Sequence, residues 1–347
     1  MNSVYIGLDV HQKQSFYCAM NLSGEVLGHE KIPTERGALE QLVKRYSATG
    51  EVEIALEAGG SSWWVAHVLR SSGAKVEVVN AHELKLIAHS KRKTDKYDSK
   101  VLANLLRCKG LPEPVYQPSE WAMRLRCQLK VRKWVVRQHA QTMVRAKSLM
   151  RHLGVSVTAR MFHSVRSWEE VMEKIPYSET LLRPMYEMWV MTAQQVKNAE
   201  GVLLEMLPES DERMGLLQSI PGIGPVTAWT LIAVVEDIRR FQCADKLVSY
   251  AGLVPSERSS GERQQTGSIT KRGRGELRDV LIQAAWAVLR SPDSESMSLK
   301  KFFYRIMHKR CSQVAIVALA KKLTIISYHV WKKGIPFVAD RTQVQAA

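Results

Sequence analysis

Much that often decides a function is absent from this chain. Its 347 residues hold five cysteines (Cys18, Cys108, Cys127, Cys243 and Cys311), an odd number with no C-x-x-C pair. That argues against a disulfide framework or a zinc ribbon and fits a reducing cytosol. The ten histidines are scattered, with no H-E-x-x-H or similar ligand spacing. No Walker-type Gly-x-x-x-x-Gly-Lys-Ser/Thr loop occurs, so an ATP-driven mechanism has no support. No run of 18 apolar residues occurs, and no membrane partner is expected. No basic start followed by an apolar stretch opens the chain, so no secretion signal is visible and a cytoplasmic protein is expected. Acid is also scarce. Fifty Lys and Arg face 34 Asp and Glu, a net charge of +16, and such an excess attracts phosphate polymers.

Residues 1–115 carry an α/β pattern. Val4–Val10, Ser15–Met20 and Gly24–Lys31 read as strands, with Asn21-Leu22-Ser23-Gly24 as a hairpin turn. A helix over Arg36–Tyr46, a strand over Val52–Leu56, a helix over Trp63–Ser71 and a strand over Lys75–Val79 follow. His82–His89 and Asp95–Cys108 read as helices. Three strands followed by alternating helix and strand is the order of a ribonuclease-H-like domain. Four acids fall at its element ends. Asp9 and Glu57 each end an apolar strand, while Asp95 and Asp98 open a helix three residues apart, on one face. Four carboxylates brought to one point would suit a hard divalent cation, Mg²⁺ or Mn²⁺, and phosphoryl chemistry. Each acid also has a plainer explanation: Asp95 and Asp98 as helix-capping residues, Asp9 as a strand end, Glu57 as a turn acid.

Residues 116–207 form a basic helical region. Nine Lys or Arg meet one acid, Glu120, between 118 and 153, and Leu129, Val136, Met143 and Met150 recur every seven residues. The adjoining column Leu125, Arg132, His139 and Ala146 is only half apolar, so a regular coiled coil is not expected. Residues 160–178 read as irregular. Leu181–Leu207 reads as a second long helix interrupted near Pro184 and paired antiparallel with the first. The one-signed charge marks Arg124, Arg126, Lys130, Arg132, Lys133 and Arg137 as candidate nucleic-acid contacts, against the plainer role of a solvated face.

Residues 208–347 read as mostly helical, with helices over Val226–Val235, Asp245–Ala251, Gly275–Leu289, Ser298–Met307 and Ser312–Lys332. Ile220-Pro221-Gly222-Ile223-Gly224 before an apolar helix is a helix-hairpin-helix signal, in which the N–H groups around Gly222 and Gly224 could meet a phosphate. An ordinary tight helix connection is the alternative. A Gly/Ser-rich loop is expected over Ser256–Ser268. A serine there, near Arg258, Lys271, Arg272 and Arg274, could attack a phosphodiester, though a polar surface loop explains the composition equally and does not separate Ser260 from Ser256 or Ser259.

Taken together, these segments resemble the insertion-sequence-110 type (DEDD) transposases along nearly the whole chain. Tyr5-Ile6-Gly7-Leu8-Asp9-Val10 resembles the opening of the family's RuvC-like domain, Leu56-Glu57-Ala58-Gly59 its second acidic motif, and Thr94-Asp95-Lys96-Tyr97-Asp98-Ser99 its third. Ile220–Gly224 and Ala251-Gly252-Leu253-Val254-Pro255 resemble its C-terminal transposase domain. The resemblance implies a recombinase guided by a bridge RNA that pairs with donor and target double-stranded DNA. It implies that Asp9, Glu57, Asp95 and Asp98 hold the metal, and that Ser260, before Gly261, forms a phosphoserine link to DNA. It implies homodimers that assemble to a tetramer. Thr270 stands where the family usually has serine, which matters little if that element only contacts backbone phosphates. Two other readings use the same residues: a metal-dependent Holliday-junction resolvase-like nuclease needing no serine, and a non-catalytic nucleic-acid binder.

Overall fold

The computed structural model describes residues 3–87, 95–207, 211–260 and 263–339, without the side chains of 85–87, 95–96, 257–260 and 263–266. The chain divides into two compact units, Met1–Gln117 and Pro118–Ala347.

The first unit is built on a five-stranded sheet in the order β3-β2-β1-β4-β5. Its strands are β1 (Ser3–Val10), β2 (Gln14–Met20), β3 (Val26–Pro33), β4 (Glu51–Glu57) and β5 (Lys75–Val79). Short turns make β1, β2 and β3 antiparallel neighbours. The crossover helices α1 (Arg36–Ser47) and α2 (Ser62–Ser71) make β1, β4 and β5 parallel, as connections through a helix require. Alternation along the central strands then sorts the side chains. Val4, Ile6, Leu8, Ile54 and Leu56 pack with Leu39, Leu42, Val65 and Leu69 of α1 and α2 on one face. On the other face, Ala55 and Val79 pack with Leu102 and Leu106 of α4 (Asp95–Arg107), and Leu84 of α3 (Ala81–Ile87) joins them. The sheet therefore carries apolar packing on both sides, with the parallel strands most apolar at Ile54-Ala55-Leu56 and Val78-Val79. The sequence reading extends α3 to His89, and residues 88 and 89 lie outside the described residues.

The second unit is mostly helical. α5 (Glu120–His152) runs 33 residues, about 50 Å at 1.5 Å per residue. Ser119 caps it, its hydroxyl accepting from the Ala122 N–H. α8 (Arg183–Glu205) pairs with it antiparallel: Trp121 reaches Met206, Arg132 reaches Glu200 and His139 reaches Trp189. The column facing α8 includes Arg132, His139 and the buried Leu125 and Ala146. Of the apolar column, Leu129 and Val136 instead line a groove between α5, α10 (Pro225–Val235) and α12 (Gly275–Arg290). On the α8 side the partly buried Arg132 guanidinium is compensated by Glu200, donating twice to one of its oxygens, at 2.8 and 2.6 Å.

Three local expectations are corrected. Residues 160–178 are not wholly irregular: α6 (Val165–Met172) forms, capped by the Ser164 hydroxyl, with Trp168 and Met172 one turn apart on the buried side. The second long helix starts at Arg183 rather than Leu181: the break expected near Pro184 falls at Leu182, after the short α7 (Ser178–Leu181), and Pro184 sits in the first turn of α8, where proline's missing N–H costs nothing. The Gly/Ser segment is a hairpin of β6 (Pro255–Ser260) and β7 (Arg263–Ile269). Its backbone groups pair with each other, so small polar residues serve a ribbon as well as a loop.

α9 (Arg213–Gln218), α10, α11 (Ala244–Tyr250), α12, α13 (Met297–Lys309) and α14 (Ser312–Lys333) share one core. α10 is apolar all round and buried from Thr227 to Val235. α14 is long and apolar enough to cross a membrane by length and composition, but 61% of that window is buried inside the protein, the pattern of a core helix.

Candidate functional site

In the first unit, strand register decides where the acids stand. β1 and β4 are parallel with Leu8 opposite Leu56, so Asp9 and Glu57 follow side by side at the same end of neighbouring strands. Neighbouring strands lie about 4.8 Å apart. Leu8 and Leu56 face α1 and α2; by alternation Asp9 and Glu57 share the α4 face with Gly7 and Ala55.

Gly7 brings α4 to that face. A Cβ at position 7 would lie 2.0 Å from the Ser99 carbonyl oxygen and 2.4 Å from the Ala103 nitrogen, so helix backbone rests directly on strand backbone. The helix direction follows from its far end. Arg107 donates to the carbonyl of Leu22, in the β2–β3 turn, at 3.1 Å, which places the C-terminus of α4 beside the start of β1. Its N-terminus, Asp95 to Asp98, therefore points toward Asp9. Asp98 is half-buried; the side chain of Asp95 is among those not described. Asp9, Glu57 and Asp98 thus lie toward one end of the sheet, and Asp95 opens the helix whose N-terminal turn lies there.

Asp9 is mostly enclosed, with 19% of its side chain exposed, and its Oδ2 lies 3.3 Å from Nε2 of His11. Glu57 leads into a turn that Ser62 closes, its hydroxyl donating to the Gly59 carbonyl at 2.9 Å. Among the described residues, no group of three or more His, Cys, Asp or Glu side chains lies close enough to hold a metal ion. The chemistry of the donor set nonetheless suits a hard divalent cation, since carboxylate oxygens are what such ions take. Two contributors escape a reading for acids alone. Gly7 carries its signal in being a glycine inside a strand, which marks close backbone approach. His11 carries none beyond its place in the turn after β1.

In the second unit the candidate nucleic-acid residues separate into two groups. Arg124, Lys130, Lys133 and Arg137 of α5 are exposed, with Lys133 ion-paired to Asp279 at 2.7 Å. Arg132 is held by Glu200, and Arg126 is turned inward. Arg126 Nε and Nη2 donate to the carbonyls of Ala233 and Val234 at 2.9 and 3.1 Å, and Arg240 donates to Val235 and Val234. Together they satisfy the last carbonyls of α10, which a buried helix end cannot leave unpaired. Burial, and next the nearby Arg274, push the Arg126 guanidinium below its ordinary pKa.

The Pro221–Gly224 turn joins α9 to α10, and its two glycines differ. Gly222 (φ +85°) is pressed onto α12: a Cβ there would lie 2.5 Å from the Ala284 carbonyl oxygen. Gly224 faces open space. Close packing accounts for the first glycine, and only the second leaves room for a ligand.

The hairpin puts Ser259 opposite Gln264 and Ser260 opposite Arg263, next to the residues 261 and 262 that lie outside the described set. The side chains of Arg258, Ser259 and Ser260 are not described. Lys271 and Arg272 are exposed just beyond β7, and Arg274 Nε donates to the Tyr250 hydroxyl at 3.0 Å. Burial would raise the Tyr250 phenol, but the guanidiniums of Arg274 and Arg240 outweigh it and hold the phenol below its ordinary pKa.

Residues 6–154 match the DEDD family model of the IS110 type, described as Transposase, and residues 214–300 match the model described as Transposase IS116/IS110/IS902 family. The chain is 28% identical over 351 residues to the pilin gene-inverting protein of Moraxella lacunata, covering 97% of this chain and 98% of that one. It is 24% identical to the transposase for insertion sequence element IS1111A of Coxiella burnetii, covering 91% of this chain and 86% of the relative. It is 24% identical to the transposase for insertion sequence element IS1328 of Yersinia enterocolitica, over 82% and 85% of the two. The DEDD domain is consistent with a RuvC-like fold and implies a general dependence on divalent metal. The doubly covered sheet with its acid pole, the helical second unit and these matches agree, and the chain belongs to the IS110/IS116/IS902 transposase family, as a DNA transposase/recombinase.

Proposed function

We propose that this transposase is guided by a bridge RNA and exchanges DNA strands through a serine nucleophile, Ser260, working with a DEDD metal site of Asp9, Glu57, Asp95 and Asp98. The observation that carries the reading is the acid pole: Asp9 and Glu57 end adjacent parallel strands on the face where α4 begins. Mg²⁺ is the proposed ion, with Mn²⁺ as a substitute, and it would supply Lewis-acid polarisation of the scissile phosphate.

The chain's own groups would do the rest. Asp9, Glu57, Asp95 and Asp98 would bind and orient. Ser260 Oγ would attack phosphorus, forming one P–O bond as the bond to the departing strand breaks; the serine proton leaves and the departing oxygen gains one. The hydroxyl of a new strand would then displace the serine, so bond energy is conserved and no ATP is needed. Lys271, Arg272 and Arg258 would meet the phosphate charge. Exposed Arg124, Lys130, Lys133 and Arg137 would hold RNA or DNA backbone, as would the open N–H side of Gly224.

A homodimer, paired into a tetramer at the synapse, is supported by apolar side chains left exposed on α5 and α8: Trp134 at 62%, Val144 at 64% and Met191 at 51%. That the Moraxella lacunata relative is named for inverting a pilin gene supports strand exchange over simple hydrolysis.

The test is a denaturing gel of the full chain with DNA bearing its element's junction and the transcript flanking its gene. Wild type should give a covalent protein–DNA adduct, and both Ser260→Ala and Asp9→Asn should lose it. Recombination by Ser260→Ala at the wild-type rate, or hydrolysis with no adduct, would replace this reading with a resolvase-like one. A junction-pairing transcript that fails to co-purify would remove the RNA guide.

A further inference from the structure

The β6–β7 hairpin leaves the helical core on two stems, Ala251–Val254 from α11 and Thr270–Arg274 into α12. The stems are joined at their root. The Thr270 N–H donates to the Val254 carbonyl at 2.9 Å and the Arg274 N–H to the Tyr250 carbonyl at 2.8 Å. Backbone crowds here to an unusual degree. A Cβ at Gly252 would lie 2.5 Å from the Arg272 carbonyl oxygen and 2.7 Å from Arg278 Nη1; one at Gly273 would lie 2.4 Å from the Tyr250 carbonyl oxygen.

Arg278, one turn into α12, ties the stems from beneath. Its Nη1 donates to the Ala251 carbonyl and to the Lys271 carbonyl, each at 3.3 Å. Lys271 is one of the few non-glycine residues with positive φ, at +52°. Such a backbone persists only where its surroundings hold it, and the guanidinium grips the carbonyl of that very residue. Above the root, the pairing register shifts by one residue between Pro255 and Glu257, with the Ser256 hydroxyl donating to the Ser268 carbonyl at 2.9 Å. A bulge of this kind bends and twists a ribbon, so it aims whatever lies beyond it.

We propose that Arg278 is the positioning residue of the hairpin: it locks both stems to α12, through the strained Lys271 backbone, and so fixes the direction in which the Ser260 end projects. Arg278 touches no DNA in this scheme. The inference rests on the reading of Ser260 as nucleophile only for its effect on rate; the clamp itself is a statement about the root. A carbonyl freed on each stem lets the ribbon pivot, and a small pivot at the root is enlarged at the tip. A displacement of about 1 Å at a reacting atom costs on the order of 100-fold in rate.

The test uses the full chain with its cognate DNA and transcript, and compares wild type, Arg278→Ala, Arg278→Lys and Gly252→Ala. Arg278→Ala should slow covalent adduct formation about 100-fold while DNA affinity stays within about threefold. Amide hydrogen exchange at Thr270 and Arg274 should rise by at least tenfold, with the α10 amides still protected. Arg278→Lys, which keeps a donor, should recover part of both. Gly252→Ala, which forces the stems apart with Arg278 intact, should behave like Arg278→Ala. Unchanged exchange at Thr270 and Arg274 in Arg278→Ala would overturn the clamp, whatever the adduct assay gives. Increased exchange with an undiminished adduct rate would overturn the positioning role. An adduct that survives Ser260→Ala would instead sink the serine reading, and the exchange measurement would still decide the clamp. Loss of α10 protection in Arg278→Ala would mark a folding defect and count against positioning; Arg278→Lys and Gly252→Ala must then agree with it.

Discussion

Replacing Gly7 with alanine is a one-carbon test of how the acid pole is assembled. The added Cβ would stand 2.0 Å from the Ser99 carbonyl oxygen, 2.4 Å from the Ala103 nitrogen and 2.7 Å from the Leu102 Cβ. The nearest two are helix backbone, which no rotamer change can move aside. Ordinary contact begins near 3.4 Å, so α4 must retreat by about 1.4 Å. Overpacking of this kind costs about 1–3 kcal/mol. For a unit of this size that lowers its melting temperature by roughly 3–15 °C. The retreat also carries Asp98 and the start of α4 away from Asp9 and Glu57, so DNA strand cleavage should fall by about 100-fold. Scanning calorimetry and a strand-cleavage gel measure the two effects. Gly37→Ala is the control: nothing lies within 4 Å of its Cβ and it sits in helix α1, so it should be neutral or stabilise by up to about 1 kcal/mol. If Gly7→Ala melts and cleaves like wild type, α4 does not rest on β1 and the acid pole is not built this way.

The basic residues of α5 should divide in a salt titration of nucleic-acid binding. Alanine at Arg124, Lys130 or Arg137 should each reduce the slope by about 1, while Arg126→Ala should leave it unchanged and destabilise the second unit by about 1–3 kcal/mol, since the Ala233 carbonyl loses its side-chain donor and the Val234 carbonyl keeps only Arg240. A reduced slope in Arg126→Ala would contradict its inward placement. The two glycines of the Pro221–Gly224 turn should also part: Gly222→Ala should lower stability because its Cβ meets the α12 backbone, and Gly224→Ala should fold normally, with any loss appearing only in DNA affinity. Equal melting losses would refute the difference. Asp211 titrates between these extremes. Burial raises its carboxyl, but hydrogen bonds from Arg213 win and hold it below the ordinary aspartate value. Its contribution is therefore present above the unfolded pKa of about 3.8 and is lost as pH falls through the folded value. The melting-temperature gap between wild type and Asp211→Asn should be full at pH 6 and shrink below pH 4; a gap independent of pH would refute it.

The first unit was legible because its periods are unmixed. β1, β4 and β5 are short and rich in Val, Ile and Leu, and the register that sets Asp9 beside Glu57 follows once β1 and β4 are parallel. What the sequence did not disclose is the direction of α4. That depends on Arg107 finding a carbonyl 85 residues earlier in the chain and on Gly7 yielding space. Neither is a local signal. α6 escapes for a related reason: eight residues, two turns, are too short to read as a helix by period alone, although the Ser164 cap stands in the sequence.

On α5, the apolar seven-residue column does not keep one partner along its length. Met143 and Met150 join the cluster that holds Leu182 and Trp189, whereas beside Leu129 and Val136 the seam with α8 takes Arg132 and His139. A polar column can face a neighbouring helix when the neighbour supplies matched groups, here Glu200 for the guanidinium and the Trp189 carbonyl with the Thr192 hydroxyl for the imidazole. Leu129 and Val136 are thereby left to line the groove against α10 and α12. The same pairing explains why net charge overstates the nucleic-acid surface of this helix. Arg126 and Arg132 are committed to protein carbonyls and a protein carboxylate, so the positive face left for a phosphate backbone would be narrower than the run of basic residues implies, with Arg124, Lys130, Arg137, Arg145 and Arg151 exposed and Lys133 shared with Asp279.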